Sequence, residues 1–129
     1  MKNRTFRLNK LVRDKIVKLT ENYGGSVDYE VLSGQKLNEA LIDKLVEESK
    51  ELKISDLSVG ELADLQEIIS QLAKNLKITD KEIAKAQSKK RSENGGFTKG
   101  HYIRTLTAPG DSQWADYYGS DPTRFPEVK

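Results

Sequence analysis

The stretch LVEESKELKISDLSVGELADLQEII, residues 45–69, decides how this chain is read. It holds two helical patterns joined by a turn-like ISDLS. Each pattern carries acids three residues apart: Glu48 and Glu51 before the turn, Glu61 and Asp64 after it. A helix advances about 100° per residue, so each acid can be placed against its own apolar stripe. With Leu37 as origin, Leu41, Leu45 and Leu52 fall at about 40°, 80° and 60°. Glu48, at about 20°, lies inside that stripe; Glu51, at about 320°, is on its edge; Glu47, at about 280°, is further out. On the second pattern, with Glu61 as origin, the leucines and isoleucines from Leu62 to Leu76 span about 340° to 100°. Glu61 is then inside the stripe and Asp64, at about 300°, on its edge, whereas Glu39, Asp43 and Glu67 read as solvated surface.

Two facing helices therefore repeat one arrangement, an acid within the apolar stripe and a second acid on its edge. Unpartnered burial of a carboxylate costs several kcal/mol, and neighbouring acids repel, so a cation is expected to offset them. Oxygen ligands suit a hard ion, Mg²⁺ or Mn²⁺. A di-iron carboxylate bundle would supply Glu-x-x-His pairs, but the single histidine, His101, lies in no such spacing. With no cysteine, a thiolate zinc site, a disulfide scaffold and a cysteine nucleophile are excluded.

Outward from this stretch, the pattern Gly34–Lys53 predicts one long helix and Val59–Lys77 a second, with Ser58 as its N-cap. A third is expected after Thr79, where TDKE fits a capping box, and ends at Asn94-Gly95-Gly96. NKLVRDKIVKLTENYGG, from Asn9, is also helical in pattern, and SVDYEVLS, from Ser26, predicts a short strand or extended segment. The remainder, from Phe97, is turn-rich and aromatic, and is expected to pack as an irregular tail on one helical domain whose core covers about residues 9–96. Trp114, Tyr117, Tyr118 and Phe125 in that tail are open to two roles, stacking on a nucleobase or packing on helices or a partner subunit.

The whole chain has 129 residues, 36% hydrophobic and 33% charged, so its core must be lean and a subunit interface could supplement it. Its 22 basic and 20 acidic side chains nearly cancel, which argues against nucleic-acid binding by bulk charge. No apolar run approaches the ~20 residues that span a bilayer, and the N-terminal residues have no secretory apolar region, so no membrane partner and a cytoplasmic location are expected. Basic residues form two groups. Lys81, Lys85 and Lys89 follow i, i+4 spacing, with Lys90 and Arg91 beyond them, and Lys10, Arg13 and Lys15 cluster near the N-terminus. Lys10, Arg13, Lys85, Lys89 and Arg91 are the candidate phosphate contacts; solvation, ion pairing or a helix-end role is the alternative for each.

EESKE followed by ELAD resembles the EExxE…ExxD signature of the all-α MazG-type nucleoside triphosphate pyrophosphohydrolases. NKLVRDKI, YEVL and KKRSENGGFTKGHYI, in that order, are similar to the phosphoribosyl-ATP pyrophosphohydrolase-like, house-cleaning branch, over about residues 9–103. The resemblance implies an all-α, MazG-like helical bundle assembled as a homodimer or tetramer. It implies hydrolysis of the α–β phosphoanhydride of a canonical or noncanonical nucleoside triphosphate, or of a phosphoribosyl nucleotide, releasing the monophosphate and pyrophosphate. It further implies that Glu48, Glu51, Glu61 and Asp64 bind Mg²⁺, that Glu47 orients a water or holds a second metal, and that Glu48, Glu51 or Glu47 accepts a proton from the attacking water. Only residues 52–60 separate the acidic pairs, fewer than in many members, so the interhelix turn must be tight. A non-catalytic helical interaction module and a regulatory nucleotide-binding protein are the rival expectations.

Overall fold

The structure, a computed structural model, describes residues 2–56 and 58–129. Among these residues all regular structure is helical: α1 Ile16–Asn22, α2 Gly34–Ile54, α3 Val59–Asn75, α4 Asp80–Asn94 and α5 Gln113–Gly119. The chain separates into two compact units, Met1–Lys90 and Arg91–Lys129.

In the first unit α2 and α3 form the packed pair. Their stripes bury Leu41 and Glu48 from α2 and Ile68 and Ala73 from α3, with Leu45, Leu65 and Leu72 half-buried beside them. The helices run antiparallel. Asn75, at the end of α3, donates its side-chain amide to Asn38, near the start of α2, at 3.0 Å. At the turn, Ser55 donates its hydroxyl to Glu61. Leu57, in the expected ISDLS turn, lies outside the described residues.

Local capping explains where the helices begin. Ser58 Oγ accepts from the Glu61 amide at 3.4 Å, and Thr79 Oγ1 accepts from the Glu82 amide at 3.1 Å, as the capping patterns predict. Gly95, with φ of 83°, follows the last residue of α4 and donates to the Arg91 carbonyl, a left-handed stop that favours glycine.

Two sequence expectations change, and the strand alternative for a third segment finds no support. The N-terminal helix begins at Ile16 rather than Asn9. Asn9 has φ of 48°, and the residues after it are committed to contacts with α2 and α3 described below. The segment from Ser26 to Ser33 carries no assigned strand. An isolated strand has no ladder partner, and no second strand is assigned among the described residues to supply one. The aromatic tail contains a short helix, α5, capped by Ser112, whose hydroxyl accepts from the Ala115 amide at 3.2 Å. Within this second unit Tyr118 meets Phe125 edge-on at 4.9 Å and Tyr117 at 5.1 Å, and Trp114 stacks on Tyr118 at 6.4 Å.

Candidate functional site

The acids singled out by helical angle sit on the α2–α3 pair. Glu48, inside the α2 stripe, is the buried charged residue among the described side chains, at 8% exposure. Its neutralising contact comes from one turn earlier, where Lys44 Nζ stands 3.5 Å from Glu48 Oε1. Glu61, at the start of α3, accepts from Ser55; Glu61 and Asp64 are both half-buried.

The N-terminal segment crosses this end of the pair. Lys10 Nζ donates to Glu47 Oε1 on α2 at 2.9 Å, and Arg13 donates through a terminal nitrogen to Asp64 Oδ1 on α3 at 2.6 Å. Two cations three residues apart thus bridge both helices. The bond to Glu47, and the charges of Glu47, Glu51 and Glu48, raise the Lys10 pKa above its ordinary value. The bond from Lys10 lowers that of Glu47. The bond to Asp64 raises Arg13, with smaller contributions from the charges of Asp64, Glu67 and Glu48.

Glu47 and Glu51 exchange the environments their angles imply. Glu47, furthest from the stripe, is half-buried and bonded, while Glu51 is exposed. Helical angle ranks positions against the apolar stripe only. Glu47 is covered by the N-terminal segment through Lys10, a contact outside the helix's own geometry.

Of the five candidate phosphate contacts, the structure brings Lys10 and Arg13 to the acids. Lys85 and Lys89 are exposed on α4, and Arg91 is the first residue of the second unit. His101 is exposed. Sequence reasoning missed Lys44 and Ser55. The i, i+4 spacing of Lys44 and Glu48 was a legible signal; Ser55 lay in a turn whose path the sequence does not specify. Two surface concavities of about 320 Å³ lie elsewhere, one lined by Ser70, Lys74, Ile78, Thr79 and Asp80, the other by Leu106–Pro109, Trp114 and Tyr118.

The donor set fits a hard divalent cation in kind, since it consists of carboxylate oxygens at i, i+3 on two antiparallel helices. In the present arrangement Glu47, Glu48, Glu61 and Asp64 each face a donor of the chain itself. Among the described residues no three acids converge closely enough to hold an ion, so ion binding requires those contacts to be exchanged.

No family model matches the chain, and neither a curated protein nor a solved structure matches it. No helix among the described residues is long and apolar enough to cross a membrane.

Proposed function

We propose that the chain is a Mg²⁺- or Mn²⁺-dependent nucleotide pyrophosphohydrolase of the MazG type, cleaving between the α and β phosphates. The observation that carries this reading is the meeting of acids from α2 and α3 with Lys10 and Arg13 at one end of an antiparallel helix pair. A phosphate-cleaving site needs both signs of charge: oxygens for a divalent ion and cations for the phosphate chain. The motif resemblance of EESKE…ELAD supports the same assignment.

Glu48, Glu51, Glu61 and Asp64 would hold the ion, which when bound neutralises phosphate charge and lowers the pKa of a coordinated water. Ser55 orients Glu61 through its hydroxyl, and Lys44 pairs with the buried Glu48 until the ion replaces it. Glu48 or Glu51, or Glu47 once released by Lys10, accepts the proton of the attacking water. Lys10 and Arg13 hold phosphate oxygens, and no covalent nucleophile is needed.

A second copy of the chain completes the core in this reading. Leu62 and Ile69 on α3 and Leu76 at its C-cap recur every seven residues and are 51%, 46% and 57% exposed, and Ile42 and Val46 on α2 are similarly open. Ile69→Glu should convert the oligomer to monomer in sedimentation; a wild-type chain that already sediments as a monomer would remove this part of the proposal.

The decisive experiment incubates pure protein and Mg²⁺ with a nucleotide panel and separates pyrophosphate from orthophosphate. Pyrophosphate and a nucleoside monophosphate are expected, with Glu48→Gln and Asp64→Asn slowing release by roughly two orders of magnitude, the scale of losing several kcal/mol of charge stabilisation. No product from any nucleotide, together with unchanged metal binding in both variants, overturns the enzyme reading. The ion pairs themselves favour the two rivals: acids satisfied by the chain's own cations suit a non-catalytic helical module or a regulatory nucleotide binder. The module predicts neither metal nor nucleotide binding, and the regulatory protein predicts binding without turnover.

A further inference from the structure

Lys10 and Arg13 occupy the places that a metal and a phosphate chain would contest. They are three residues apart in an irregular segment, yet one reaches α2 and the other α3. Between them Leu11 and Val12 are half-buried, so the backbone is seated by apolar contact while the charged ends extend beyond it. Both side chains are long and partly exposed, 40% for Lys10 and 55% for Arg13, so their heads can swing without unseating the segment.

We propose that this segment is a cation-exchange strap. Its guanidinium stands in for the divalent ion on Asp64 while its ammonium holds Glu47 beside the site, and when the ion arrives with a polyphosphate both leave the carboxylates for the phosphate oxygens. The proposal rests on the metal reading above and adds a regulatory consequence. A bare divalent ion must displace Arg13 from Asp64 and enter a field already neutralised by Lys10 and Lys44, so it binds weakly alone. A polyphosphate offers the displaced cations a new partner, so ion and phosphate chain bind with positive coupling. Coupling between two ligands is reciprocal and commonly amounts to about 5- to 150-fold in affinity. The chain therefore selects the metal–polyphosphate complex over either component.

The test measures Mn²⁺ affinity by calorimetry on the full chain, then affinity for inorganic tripolyphosphate in saturating Mg²⁺. The Lys10→Gln/Arg13→Gln double variant should bind Mn²⁺ at least ~5-fold more tightly than wild type and tripolyphosphate at least ~5-fold more weakly. The opposite signs are diagnostic, because an ion pair with a purely structural role changes stability and moves neither affinity in this pattern. Lys50→Gln/Lys53→Gln removes the same charge from α2 and serves as the control for bulk electrostatics. If the control tightens Mn²⁺ binding as much, or if the strap variant leaves Mn²⁺ affinity unchanged while Glu48→Gln/Asp64→Asn abolishes it, the strap is overturned and the metal site stands. If Glu48→Gln/Asp64→Asn retains wild-type Mn²⁺ affinity, the metal reading itself falls. Should the strap variant fail to fold, the Arg13 guanidinium ¹⁵N resonances of the wild type answer the same question. They should move on Mg²⁺ addition, and unmoved resonances at Mg²⁺ saturation overturn the strap.

Discussion

Helices α3 and α4 begin alike and end up in different surroundings. Each is capped by a hydroxyl that accepts from the amide three residues on, and each has a glutamate at that third position. Their lengths are similar, 17 and 15 residues. Yet α3 buries Ile68 and Ala73 against α2, while α4 buries no residue. Apolar side chains recur through α3 from Leu62 to Leu72, whereas α4 offers Ile83 and two alanines among its charges. Capping and propensity suffice to make a helix; only a continuous stripe makes it pack. Charge follows the same division. Glu61 and Asp64 of α3 are engaged by Ser55 and Arg13, while Asp80 and Glu82 of α4 occupy its first turn, where acids favour the helix dipole.

The largest expected effect breaks the buried half of that contrast. Ile68→Ala should cost about 2–5 kcal/mol in urea unfolding, the range for a buried aliphatic truncated to alanine. Ile83→Ala on α4, at a half-buried position, should cost well under half as much. Equal losses would show that α4 packs as tightly as α3. Next come the caps. Ser58→Ala and Thr79→Ala should each remove about 1 kcal/mol of helix stability. Ser58→Ala should lower global stability because α3 belongs to the packed pair. Thr79→Ala should instead speed amide exchange in the first turn of α4 with little change in the unfolding midpoint. A matching global loss for both caps would erase the distinction.

Much of the fold was legible because its signals are local. The bounds of α2, the Ser58 and Thr79 caps and the Asn94-Gly95 stop follow from residues within one or two turns. Helical angles alone also placed Glu48 in the interior, where the structure has it. What was not legible depends on residues far apart in sequence. Lys10 and Glu47 are 37 positions apart, and Arg13 and Asp64 51, so no periodicity announces their pairing. The helical pattern from Asn9 likewise gives way to the irregular segment that carries these pairs, with α1 starting only at Ile16. α5 escaped because its seven residues are too few for periodicity, although Ser112 before Gln113 was a readable cap.

The smallest expected effect concerns the charges that α2 receives from the strap. Lys10 and Glu47 are bonded at 2.9 Å but partly exposed, so solvent screens the pair and its coupling should not exceed about 1 kcal/mol. The signs define its pH window. The Glu47 pKa is lowered by the Lys10 bond, so its contribution is full above the unfolded glutamate value, about 4.3, and fades as pH falls through the lower folded value. The Lys10 pKa is raised by the Glu47 bond, so its contribution is full below the unfolded lysine value, about 10.4, and fades as pH rises through the higher folded one. A double-mutant cycle with Lys10→Gln and Glu47→Gln should therefore show coupling at about pH 7 that shrinks toward about pH 3. Added salt should shrink it as well, since the pair faces solvent. Coupling that persists at low pH would mean the two side chains interact through packing rather than charge, and the strap would then be a structural clasp. Coupling that vanishes in acid leaves an ion pair held by charge alone, as an exchangeable strap requires.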